Sequence, residues 1–106
     1  MFEGVICDAL HHRRLLRFWY KDHSTPTTVE PYTFGRNEAG HDALSAWLVS
    51  GETKDTTPPL WRLYLLSKMH RVEMLKDEFP KNRQGYNPND RRFRMIRCRV
   101  GPAPAA

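Results

Sequence analysis

Arg62, Tyr64 and Lys68 fall at even separations in the stretch WRLYLLSK. On a regular strand that spacing sends all three to one face. Two cations beside an aromatic ring suit a phosphate with a stacked base. A solvated strand face carrying an amphipathic tyrosine accounts for the same residues about as well. Arg17 and Trp19, in RLLRFWYKD, form a second pairing of charge and ring, although a tryptophan is more often core. The expected ligand-binding set is therefore Arg17, Tyr20, Arg62, Tyr64 and Lys68.

The densest charge lies further on. RRFRMIRCRV, Arg91 to Val100, holds five arginines in nine positions. Arg92 and Arg94 alternate with Phe93 and Met95, then Arg97 and Arg99 with Ile96, Cys98 and Val100. The phase slips once, between Met95 and Ile96. A one-residue β-bulge there would return every apolar group to one face and align Arg92, Arg94, Arg97 and Arg99 on the other. These four are the expected nucleic-acid contacts.

Charge along the chain agrees with that emphasis. Residues 1 to 80 carry 10 Lys and Arg against 11 Asp and Glu, a net of −1; residues 81 to 106 carry 7 against 1, a net of +6. A basic block on one segment is an electrostatic footprint for phosphate, although a solvated strand face is an equally common use of such a run.

Other chemistry is not spelled out. Cys7 and Cys98 are far apart and lack a C-x-x-C spacing, so both read as separate buried thiols rather than a disulfide or a zinc clamp. Arginines around Cys98 would favour its thiolate, but its place on the apolar side of the alternation argues for a core role. His11 and His12 are adjacent and point in different directions on a helix, unlike an i, i+4 metal pair. No nucleophile with a base at hand, glycine-rich phosphate loop or carboxylate pair is legible. The expectation is a binding protein, not an enzyme, without metal or cofactor.

These residues need elements to position them. Val5, Ile6, Ala9 and Leu10 predict a helix over about 2–12. RLLRFWYKD alternates as a strand with Leu16, Phe18 and Tyr20 on one side. TVEPYTF follows, with Pro31 marking an edge or a bulge. GRNEAG reads as a hairpin loop, HDALSAWLVS as a strand and GETKDTTPP as a loop. WRLYLLSK and HRVEMLKDEF read as two strands able to pair across a turn near Lys68 to His70; PKNRQGYNPND is loop. With 106 residues there is room for one core burying roughly 65% of the unfolded surface. Short strands without intervening long helices predict a mainly β fold. That fold is a small SH3-like or Sm-like barrel of about five strands with an N-terminal helix and an additional C-terminal strand. The expected domain covers 1–100, with the barrel over about 15–79, a basic strand over about 91–100 and a disordered tail at 101–106. No membrane span or signal peptide is legible, which places the chain in the cytoplasm.

In that order the segments resemble a known family. RLLRFWYKD, TVEPYTF, DALSAWLV and WRLYLLSKMHRVEML ahead of DEF are similar to the WYL domain, a bacterial Sm-like barrel module, over roughly residues 5 to 79. The resemblance implies binding of nucleotides, single-stranded nucleic acid or another anionic ligand through a basic surface, and a role in transcription regulation. Thr27 or Thr28 stands where the family has an arginine before its Val-Glu-Pro. Asp42, Ala43 and Leu44 stand at the Trp-Tyr-Leu triplet, and Leu65, Ser67 and Lys68 replace Arg, Asp and Arg in the following strand. No helix-turn-helix is legible, so a free-standing module is expected. An alternative of another class is a structural module for self-assembly, as a homo-oligomer, or for docking to a protein partner.

Overall fold

The computed structural model describes residues 2–51, 53 and 56–101. One helix, α1 (Glu3–His11), precedes six strands: β1 (Arg14–Tyr20), β2 (Thr27–Asn37), β3 (Asp42–Ser50), β4 (Trp61–Leu65), β5 (Met69–Glu78) and β6 (Phe93–Arg99). All form one antiparallel sheet in the order β4–β3–β2–β1–β5, and β6 joins it by pairing with β2. The mainly β expectation holds.

α1 buries Ile6, Ala9 and Leu10, whose i, i+3, i+4 spacing makes a single apolar stripe. At 9 residues it is too short to persist alone in water, so that stripe is its support. Arg13, at φ +53°, turns the chain from the helix into β1. In β1, Leu16, Phe18 and Tyr20 are buried, as the alternation requires.

β2 organises the sheet. One edge pairs with β3 along most of its length, and the other is shared. Thr27, Thr28 and Val29 pair with β1, whereas Thr33 to Asn37 pair with β6, so β6 takes over where β1 leaves off. The β2–β3 register slips between Pro31 and Thr33, which fits a proline that cannot donate to a ladder. Gly35 is required by close approach: a Cβ there would meet the Met95 carbonyl and the Ile96 Cα.

The sheet curls until distant strands touch. Tyr20 on β1 and Tyr64 on β4 lie three strands apart in the order, yet their rings are 5.1 Å apart. The Tyr20 hydroxyl accepts the Leu65 backbone N–H at 3.0 Å. Two sequence expectations are corrected. β5 pairs with β1 and not with its predecessor β4, and the two stand at opposite ends of the strand order. β4 stops at Leu65 and Leu66–Lys68 form a 3-10 turn, so strand parity does not extend to Lys68.

Cys7 and Cys98 are also not separate thiols. They form a disulfide with Cα atoms 5.7 Å apart, joining α1 to β6 across a sequence separation of 91. The expected alternation of β6 holds in part. Phe93, Cys98 and Val100 are buried, but Met95 is 46% exposed. The ladder with β2 skips Arg94 and Arg97 instead of slipping between Met95 and Ile96. Two irregularities replace one, and Met95 is left on the outside. Gly101 is described, and its carbonyl accepts from Arg13 and Asn82; residues 102 to 106 of the expected tail lie outside the described residues. Among the described residues no helix is long and apolar enough to cross a membrane.

Candidate ligand-binding surface

The first expected set is dispersed by the curl. Tyr20 and Tyr64 are each 8% exposed. They pack edge-on with Phe18, whose ring centroid is 5.1 Å from that of Tyr64. Burial pushes the Tyr64 hydroxyl well above its usual range. The Arg62–Tyr64 side of β4 thus leads into the core, and neither ring offers a stacking face. Arg17 donates twice to Glu73 Oε1, at 2.9 and 2.7 Å, on the neighbouring strand β5. Arg62 turns back onto the Trp61 carbonyl at 2.9 Å and reaches Thr53 Oγ1 at 3.4 Å. Lys68 is exposed on the 3-10 turn.

The β6 arginines divide into two pairs. Arg92 and Arg99 are held by the loop before the strand. Arg92 grips Asp90, with Nη2 at 2.6 Å from Oδ2, and donates to Ser45 Oγ at 3.0 Å. That guanidinium hydrogen bond holds the Asp90 carboxyl below its usual range. Arg99 donates to the Pro88 carbonyl at 2.8 Å and to Asn89 Oδ1 at 3.2 Å. Both therefore fasten the loop and have little left for a ligand.

Arg94 and Arg97 face outward, and the sheet adds a third cation. Arg97 Nη2 lies 3.5 Å from Asp42 Oδ1, and Arg36 Nε, from β2, lies 3.7 Å from the same oxygen. Two guanidinium groups share the Asp42 carboxylate, and the Glu3 carboxylate of α1 adds a weaker electrostatic interaction with Arg97. Arg94 is exposed and has no ion-pair partner among the described residues. Arg36 escaped the sequence reading because it follows Gly35 and was assigned to a hairpin loop. No periodicity points to it, because the register slip between Pro31 and Thr33 shifts the phase of β2 before Arg36 is reached.

The loop from Phe79 to Arg92 forms a strap over the outer face of β2, β3 and β4. Arg83 binds Glu30 through Nε at 3.0 Å and Nη2 at 2.8 Å, and stands 5.0 Å over the Trp47 ring. Its backbone N–H donates to the Tyr32 hydroxyl at 3.0 Å. Trp61 Nε1 donates to the Gln84 carbonyl at 3.0 Å, and the Tyr86 hydroxyl donates to the Val100 carbonyl. Gly85, at φ +94°, lets the strap lie on the Trp61 indole. A cleft of about 300 Å³ remains beside it, lined by Thr33, Ser45, Trp61, Tyr86, Asp90 and Arg92. The Glu30 side chain is only 8% exposed and the Arg83 side chain 46%. Replacing Arg83 with Ala strands a buried carboxylate, a loss that solvent access trims to about 1–3 kcal/mol. Urea unfolding of Arg83→Ala checks this, and Glu30→Gln in the same background should recover part of the loss.

No family model matches the chain, and no curated protein matches it. Among solved structures it is similar to the proteasome accessory factor B/C (PafBC) of Arthrobacter aurescens, with a TM-score of 0.61 and 21% identity. The match covers 79% of this chain and 13% of that one. At that identity the likeness carries the fold alone.

Proposed function

We propose that the chain is a ligand-binding module for an anionic ligand, single-stranded nucleic acid or a nucleotide, held by the exposed Arg36, Arg94 and Arg97 of β2 and β6. The observation that carries this is the sharing of one Asp42 oxygen by two guanidinium groups, at 3.5 and 3.7 Å. A phosphate oxygen arriving there meets two guanidinium forks whose donors the one shared Asp42 oxygen does not saturate. The +6 balance of residues 81 to 106, from 7 basic and 1 acidic side chains, adds an attractive field. Arg17, Arg62 and Lys68 contribute to that field and do not hold the ligand. The resemblance of the chain's motifs to WYL domains supports a regulatory role for such binding, without catalysis.

Binding should weaken steeply with salt, because each neutralised phosphate releases counterions. A fluorescence-anisotropy titration with a single-stranded oligonucleotide tests it. Arg94→Ala is expected to lower the slope of log K against log salt by about 0.7, and Arg17→Ala, already paired with Glu73, to leave it unchanged. Absence of binding at low salt removes the proposal.

A second reading, docking to an acidic protein partner, is favoured by one feature. β6 pairs with β2 on one edge and with no other described strand, and Met95 is exposed beside its arginines. An extended segment could add to that edge.

A further inference from the structure

Among the described residues three large apolar side chains are exposed: Val49, Leu63 and Met95. Scattered exposure of that kind is ordinary, but Met95 differs in its neighbours. It pairs with Arg36 in the β2–β6 ladder, and Arg36 pairs with Asp42 in the β2–β3 ladder. Directly opposed residues of antiparallel strands project to the same face. Asp42, Arg36 and Met95 therefore stand in one row across three strands. Arg97 reaches the Asp42 oxygen that Arg36 also approaches, so both guanidinium groups converge on that end of the row. The thioether at the other end is 46% exposed.

We propose that Met95 is the base-contacting residue of this surface, and that the ligand is an unpaired nucleobase joined to phosphate, as in single-stranded nucleic acid. The inference deepens the proposed anion surface and rests on it. Neighbouring strands lie about 4.8 Å apart, so the row runs about 10 Å from Asp42 to Met95. A nucleotide covers that distance from its phosphate to the far edge of its base. With the phosphate on the arginine forks at one end, the base comes to lie against the thioether at the other. An unbranched, polarizable methionine packs favourably on an aromatic ring and adapts to rings of different shape.

The backbone beneath this side chain is fixed. The Met95 carbonyl approaches Gly35 so closely that a Cβ there would strike it, and the side chain alone is left to adjust. A bare polyphosphate would engage Arg36, Arg94 and Arg97 and leave Met95 unused. A duplex would do the same, because its base faces are already stacked on one another. Met95 thus turns a surface for any anion into one that selects anions carrying an exposed ring.

Fluorescence anisotropy on the full chain tests this with two labelled strands, an oligodeoxythymidylate and an abasic strand of the same length and phosphate count. Wild type should bind the base-bearing strand about fivefold more tightly than the abasic one. Met95→Ala should weaken the base-bearing strand about fivefold and the abasic strand by less than about 1.5-fold, with the salt slope unchanged for both. Met95→Leu, which keeps the apolar volume, should hold the base-bearing strand to within about twofold of wild type. Equal affinity of wild type for the two strands overturns the base contact and leaves the anion surface standing. An equal loss for both strands in Met95→Ala, or a loss for neither, also overturns it. Failure of both strands to bind wild type at low salt defeats the anion surface, and this inference falls with it.

Discussion

Gly35→Ala is expected to push β6 off β2 at a cost of about 3 kcal/mol or more. A Cβ at this position would meet the Met95 carbonyl, the Ile96 Cα at 2.9 Å and the Met95 carbonyl carbon at 3.0 Å. Those are backbone atoms of the neighbouring strand, so no side-chain rotation relieves the contact. The strands must separate by part of an ångström or the ladder must break. Gly35 pairs with Ile96, between the two places where the ladder already slips, and little remains to hold β6 in register. Backbone amide shifts confined to residues 92 to 100, with a lowered urea midpoint, are the expected signature. An alanine variant of native stability and unshifted β6 amides would show that the approach of the two strands is looser than described.

Cys7→Ser combined with Cys98→Ser is expected to cost about 2–4 kcal/mol. The bond closes nearly the whole chain, with a sequence separation of 91, and a loop that long restricts the unfolded ensemble strongly. For a domain of this size the loss corresponds to a drop in melting temperature of about 10–25 °C. The double variant should match the reduced wild type, since both lack the same tether. A midpoint unchanged within about 0.5 kcal/mol would mean that the bond does not form in the folded protein.

How much of this was legible depends on what each signal reports. The alternation in β1 names Leu16, Phe18 and Tyr20 as a face, and that face is the core. The same parity in β4 groups Arg62 with Tyr64, but parity does not say which side of a curled sheet lies inside. Tyr64 belongs to the inside, and a stacking platform becomes a core ring packed on Phe18 and Tyr20. Adjacency in sequence suggested β4 with β5, whereas β5 pairs with β1 at the other end of the strand order. The cysteine pair left no mark, because residues 91 apart carry no spacing signal.

At the proposed surface, Arg94 and Arg97 were found from charge and alternation alone. Arg92 and Arg99 were grouped with them, yet their partners Asp90, Ser45, Pro88 and Asn89 belong to a strap whose path is set by tertiary contacts. The strap itself read as featureless loop. Its anchors, Tyr32, Trp61 and Tyr86, are aromatic residues scattered over three segments, and only the fold shows them beside one another.

The most direct test of the anion surface compares wild type with Arg36→Ala/Arg94→Ala/Arg97→Ala in oligonucleotide titrations over a range of salt. All three side chains are exposed, so circular dichroism should show an unchanged fold. Removing three phosphate contacts should flatten the slope of log K against log salt by about 2. A triple variant that keeps the wild-type slope and affinity would place the binding elsewhere and contradict the assignment.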